Sequence, residues 1–201
     1  MVIGDPLQGR VFIAKTQDGG NSWQNLPGSE LPVAAEGEAF FFIICTNIRM
    51  YSKTGFVFAS GGKKASLFMP GSKKELPLIQ GKETTGANSI AIKNKKMMII
   101  VGGDFMTKDS TSKNCYLSTN GGKTFSSPQI GPHGYRSCVE YLGGKNWVAC
   151  GLNGVDFTSD DGRNWNWISK EGFHVCRKAK NGTALYFAGG GGRIGKLIAN
   201  D

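Results

Sequence analysis

The sequence predicts an all-β fold, a β-propeller built from four-stranded antiparallel blades, on two observations. First, Thr16-Gln17-Asp18-Gly19-Gly20-Asn21-Ser22-Trp23, Ser118-Thr119-Asn120-Gly121-Gly122-Lys123-Thr124-Phe125 and Thr158-Ser159-Asp160-Asp161-Gly162-Arg163-Asn164-Trp165 repeat one pattern: hydroxyl, any residue, Asp or Asn, any residue, Gly, any residue, small polar, aromatic. Second, short apolar stretches end in glycine pairs or near-pairs. From Gly4 through Gly61, Gly102, Gly151 and Gly189 the intervals are 57, 41, 49 and 38 residues. A period of about 40–45 residues is that of a propeller blade.

Taken in order, with strands lettered A to D from the centre outward, the first blade is partial. Val2–Asp5 reads as its B strand, 10–16 as C and 22–26 as D. The second blade, about 36–80, has A near 40–46, B near 55–60 and C near 66–69, and its turn repeat has decayed to Pro70-Gly71-Ser72-Lys73. The third (about 86–130) and fourth (about 134–170) are complete. The last, 172–199, has A over 173–178, B over 184–188 and C over 193–198. The expectation is 18 strands in four to five blades, forming the C-terminal part of a larger, about seven-bladed propeller, because the first blade starts without A and the last stops without D. An open propeller exposes strand edges, so strand exchange or oligomerisation is expected.

Each repeat reads as a clamped hairpin turn. The Asp or Asn carboxylate or amide oxygen accepts backbone hydrogen bonds, glycine supplies the left-handed backbone, and the aromatic packs inward. The pattern resembles the Asp-box, or BNR repeat, of sialidases and other propellers, where it is structural and lies between the third and fourth strands of a blade. Asp18, Trp23, Asn120, Phe125, Asp160 and Trp165 are therefore structural expectations, not catalytic ones.

Composition excludes some classes. The 201 residues contain 30 glycines, spread over turns, and no apolar run long enough to cross a membrane as a helix. The chain opens Met1-Val2-Ile3-Gly4-Asp5-Pro6, without the basic and apolar regions of a signal peptide. A net charge of +9 favours anionic surroundings, but no nucleic-acid-binding motif accompanies it. Five cysteines without CxxC spacing argue against zinc. Gly189–Gly192 reads as a turn and not as a phosphate loop, since no strand-to-helix junction follows it.

A wider resemblance is carried by Gly4-Asp5-Pro6-Leu7-Gln8-Gly9-Arg10, Gly86-Ala87-Asn88-Ser89-Ile90-Ala91, Gly134-Tyr135-Arg136-Ser137-Cys138-Val139-Glu140, Cys150-Gly151-Leu152-Asn153-Gly154-Val155-Asp156 and Phe173-His174-Val175-Cys176-Arg177-Lys178. These resemble the bacterial propellers similar to the photosystem II stability/assembly factor, some of which carry an oxidoreductase label. The resemblance implies a non-enzymatic scaffold or binding module, a protein or small-ligand partner, no cofactor, and a periplasmic or secreted location for the full-length protein.

Propeller geometry places the D–A and B–C loops on one face. That face collects Glu36, Glu38, Asn88, Asp104, His133, Tyr135, Arg136, Asn153 and His174, with Asp5 and Ser89 beside them, and it is the candidate binding face. Three chemistries compete there. Protein binding fits the resemblance. A carbohydrate-acting enzyme of sialidase or glycoside hydrolase type needs two carboxylates roughly 5–9.5 Å apart, for which Glu36 and Glu38 are the candidates, plus an arginine cluster of which only Arg136 is present. A metal site would draw on His133, His174 and Glu36 or Glu38. An oxidoreductase is the last alternative. On the opposite face, Lys53, Lys93, Lys95, Lys96, Lys145, Lys178 and Lys180 make a basic end. In the hairpin around Gly143–Lys145, pairing Leu142 with Asn146 sets Tyr141 opposite Trp147 and Cys138 opposite Cys150. A two-residue turn sets Cys138 opposite Ala149 instead. Two buried thiols are expected there.

Overall fold

The computed structural model describes residues 1–41, 46–52 and 55–197. Five antiparallel sheets follow one another along the chain. The first holds β1 (Val2–Leu7), β2 (Arg10–Lys15) and β3 (Gln24–Asn25). The second blade is made by β4 (Glu38–Ala39), β5 (Ile48–Met50), β6 (Phe56–Ala59), β7 (Gly61–Gly62), β8 (Ser66–Met69) and β9 (Ser72–Glu75). The third holds β10 (Thr85–Ile92), β11 (Met98–Asp104) and β12 (Cys115–Ser118). The fourth holds β13 (Cys138–Gly143), β14 (Asn146–Gly151), β15 (Gly154–Thr158) and β16 (Asn166–Ser169), and the fifth β17 (Val175–Lys178), β18 (Leu185–Ala188) and β19 (Ile194–Leu197).

Strand patterning explains the stacking. Residues along a strand alternate sides, and here both sides are buried, so the strands read as continuous apolar runs. On β11, Met98 and Ile100 enter the core shared with the second blade, while Ile99 and Val101 enter the core shared with the fourth. On β14, Trp147 and Ala149 face the third blade, and Val148 and Cys150 face the fifth. Four such cores lie between the five sheets.

The recurring glycines sit where backbones pass closest. A Cβ on Gly102 would lie 1.8 Å from the carbonyl oxygen of Gly86, and one on Gly151 would lie 2.0 Å from that of Tyr135. The same glycines accept from the blade that follows: the Arg136 amide donates to the Gly102 carbonyl at 2.9 Å, and the Phe173 amide to the Gly151 carbonyl at 3.0 Å. Gly61 faces Gly86 in the same way, which draws β4 and β7 into the sheet of β10–β12. At the first junction a side chain replaces the carbonyl, with the Phe40 amide donating to Asp5 Oδ1.

The three repeats adopt one turn. Thr16, Ser118 and Thr158 donate their hydroxyls to Asp18, Asn120 and Asp160. Those side chains accept the amides of Ser22, Thr124 and Asn164 at 2.9, 2.9 and 3.0 Å. Asn120 inverts one bond, its Nδ2 donating to the Thr124 hydroxyl. Asp161 stands where the other two repeats have glycine, at φ 61°, a conformation that Asp tolerates better than most residues. Burial opposes ionisation of Asp160, but hydrogen bonds from Asn164, Thr158 and Arg163 outweigh it and hold the carboxyl at about 2. Trp165 is buried against the third blade and Phe125 packs on the second.

Several expectations change. Trp23 is 46% exposed instead of packing inward, its Nε1 donating to the Gly20 carbonyl within its own turn at 3.2 Å. The innermost strand of the second blade pairs with β6 over Ile48–Met50; of the stretch expected for it, 40–46, residues 42–45 lie outside the described residues. Its β8–β9 hairpin closes through Pro70 and Gly71, the latter at φ 73°, as a two-residue turn led by proline. The third blade's outer strand is reduced to the Leu117–Ser126 bridge. With the second blade's first two strands each in two pieces, 19 strands stand among the described residues where 18 were expected. The end of the last C strand, at Ile198, lies outside the described residues.

Gly151→Ala should cost about 1–3 kcal/mol in urea unfolding, since a backbone oxygen blocks the new methyl. Gly28→Ala, where nothing lies within 4 Å of the added carbon, should stay within about 0.5 kcal/mol. Asp160 has a lowered folded pKa, so its stabilisation is present above the ordinary 3.8 and is lost as pH falls through about 2. Asp160→Asn should flatten that part of the acid-unfolding curve relative to the parent.

Candidate functional site

An apolar pocket of about 210 Å³ opens on the face formed by the D–A and B–C loops, lined by Phe41, Asn88, Phe105, Tyr135, Leu152 and His174, with Ser137 at its side. Phe105 follows the last residue of β11, in a short 3-10 turn that Asp104 caps by accepting from the Met106 amide. Leu152 lies in the two-residue turn between β14 and β15, and Asn88 sits at a bulge in β10. Phe105 meets Phe41 and Tyr135 edge-on, each at 6.3 Å between ring centres, and forms a wall of three aromatics. Burial pushes the Tyr135 phenol above its usual range. Asn88 is buried, and its Oδ1 has no hydrogen-bond partner among the described residues. At the mouth, Phe105, Met106 and Leu152 are 37%, 72% and 37% exposed. Exposed apolar groups beside a pocket are what a partner's side chain would cover.

Of the nine residues expected on this face, the pocket brings together three: Asn88, Tyr135 and His174. The other six stand elsewhere. Arg136 is fully buried and paired with Asp156, and it also donates to Asn153 Oδ1 and to the carbonyls of Tyr135 and His133. Asn153 in turn donates to Asp109 and to the His133 carbonyl. The His133 ring is exposed and stacks on Trp167 at 4.1 Å. Both oxygens of Glu38 are occupied, Oε1 by the Ser60 hydroxyl and Oε2 by the Ala35 amide and Lys73. Burial works against the Glu38 charge, yet these donors hold its carboxyl below the usual range. Glu36 is exposed.

The chemistry expected of that set is therefore redistributed. Glu38 and Arg136 are bound within the fold, so the carboxylate pair and arginine of a sialidase-type site do not face a common cleft. His133, His174 and the glutamates form no group of three adjacent ligands. Among the described residues, the one such group is Cys138, Cys150 and Cys176. On the opposite face, Lys93 pairs with Asp161 and Lys178 donates to the Leu142 carbonyl, so neither offers the unengaged charge expected of it. Lys95, Lys96, Lys145 and Lys180 are exposed, and Lys53 lies outside the described residues. A larger cavity of about 540 Å³ lies at the outer rim beside β9, between Lys74 and Phe125.

The pocket's apolar members escaped sequence reasoning, which collected polar side chains. Phe105-Met106, one residue beyond the Gly102-Gly103 pair, was the available signal: two large apolar residues where a strand has already ended.

No protein-family model matches the chain, and no curated protein sequence matches it. Among solved structures it is similar to YCF48 bound to D1 peptide, with TM-score 0.54, 13% identity, and coverage of 79% of this chain and 54% of that one. It is also similar to the WD40 β-propeller domain of Doa1, with TM-score 0.57, 12% identity, and coverage of 96% and 62%. The fold is a β-propeller. The chain spans between about half and three-fifths of the length of these two neighbours.

Arg136→Met should cost about 3–5 kcal/mol in urea unfolding, because it leaves Asp156 charged and buried. His174→Ala, at a half-buried pocket wall, should stay within about 1 kcal/mol.

Proposed function

We propose that this propeller is a non-enzymatic binding module that takes an apolar side chain of a peptide or protein partner into the pocket among Phe41, Phe105, Tyr135 and Leu152. The observation that carries the reading is the pocket itself, with three aromatics and an exposed apolar mouth on the loop face of a rigid scaffold. Aromatic-walled pockets ringed by exposed apolar groups are where interface anchors bind. A propeller of similar fold has been solved with a peptide bound, which supports peptide recognition as the class of function. The Asp-box-like repeats and the sequence resemblance to the photosystem II stability/assembly factor-like group favour that type of scaffold. The wider propeller of about seven blades, of which this chain supplies part, belongs to the same proposal.

Selection from a displayed library of random 12-residue peptides tests this. The parent should enrich sequences with a large apolar residue. The Phe105→Ser/Leu152→Ser double variant should lose them with its unfolding curve unchanged, and a Lys95→Glu/Lys96→Glu variant should keep them. Equal capture of the same peptides by the Phe105/Leu152 variant would move the site elsewhere.

A further inference from the structure

Three thiols from three strands meet between the fourth and fifth blades. Cys138 on β13, Cys150 on β14 and Cys176 on β17 are each fully buried. Their sulfurs all lie within 4.8 Å of one another, with Cys138 and Cys176 at 3.6 Å. The hairpin register sets Cys138 opposite Cys150, as one of the two pairings read from the sequence required. A bulge then places Gly143, not Leu142, opposite Asn146. All three cysteines are free thiols. Cys176, from the neighbouring blade, is the member that no hairpin arithmetic supplies.

A metal held by thiolates at about 2.3 Å needs sulfurs about 3.8 Å apart in a tetrahedral arrangement, or about 4.0 Å in a planar one. The Cys138–Cys176 separation of 3.6 Å lies close to the tetrahedral value, and the other two are no longer than 4.8 Å. Among the described residues, which leave out Cys45, no fourth Cys, His, Asp or Glu ligand joins the group. Zinc in a closed structural site takes four ligands, whereas soft thiolates also select copper(I), which is satisfied by three. Binding one copper(I) with loss of three thiol protons leaves the cluster with two negative charges.

We propose that Cys138, Cys150 and Cys176 form a three-coordinate, all-thiolate site for one copper(I) ion. No electron transfer is involved: three S–H bonds exchange for three Cu–S bonds and release three protons. The pocket residues Ser137, Leu152 and His174 lie one or two positions away on the same chain segments, so the site is one layer beneath the pocket floor. The ion would tie β13 and β14 of one blade to β17 of the next.

Anaerobic titration of the fully reduced protein with copper(I), against the chelator bathocuproine disulfonate, provides the test. One equivalent should resist the chelator in the parent and in Cys115→Ser, which alters a buried thiol outside the cluster. That equivalent should be lost in Cys138→Ser, Cys150→Ser and Cys176→Ser. Because those variants can also fail to fold, X-ray absorption of the copper-loaded parent is the second measurement. Three sulfur neighbours and no nitrogen or oxygen support the site. No retained copper, a two-sulfur shell, retention by all three variants, or tighter binding of zinc(II) with a fourth ligand would each overturn it.

Discussion

Two backbones pass almost in contact at the loop-face end of each second strand, and the rest of the propeller is arranged around that approach. Gly102 and Gly151 lack the Cβ that would strike the innermost strand of their own blade. Their carbonyls point the other way and receive the first amides of the next blade. One residue type thus satisfies a steric demand on one side and a hydrogen-bonding demand on the other. A buried amide left without an acceptor would cost about 1–3 kcal/mol, so the junction fixes how successive blades are spaced around the axis. Loops elsewhere are free to vary, which is why the intervals from Gly61 to Gly102 and from Gly102 to Gly151 differ, at 41 and 49 residues, while Gly102 and Gly151 make the same junction.

The polar groups of the same face divide according to this geometry. Blade entrances leave carbonyls and amides of irregular backbone away from water, and side chains must satisfy them. Arg136 with Asp156 and Asn153 does so around His133–Tyr135, and Glu38 does so around Ala35. Ser89 and Ser137 play the same part between neighbouring innermost strands, one receiving the Val139 amide and the other donating to the His174 carbonyl. What remains exposed at the centre of the face is then apolar. The pocket is made of side chains that this hydrogen-bonding scheme does not use.

The fold was legible because its determinants are local. The turn clamp needs an Asp or Asn within four residues of the amide it binds, and the junction glycines recur at blade spacing. Strand ends were legible where a glycine or a clamp marked them, as for β8. The extent of pairing was not: the third blade's outer strand follows a clamp, yet it is reduced to the Leu117–Ser126 bridge. The face of the site could be read from topology, but its membership could not. Buried Arg136 and exposed Glu36 look equally polar in a sequence, and only tertiary partners separate them. Phe105 and Leu152 look like ordinary core residues until the chain places them at a rim. The cysteines show the same limit, since 138 and 150 follow from hairpin pairing and 176 does not.

Arg49 donates to Glu140 at 3.0 Å, and Arg177 reaches the same carboxylate oxygen at 3.2 Å. Arg49 belongs to the second blade, Glu140 to the fourth and Arg177 to the fifth. Every other link described above joins consecutive blades, as in a solenoid whose stability is a sum of nearest-neighbour terms. This ion triad skips the third blade and runs as a chord across the central axis. It turns a row of dominoes into a braced arch, in which loosening one end is felt by a blade two places away.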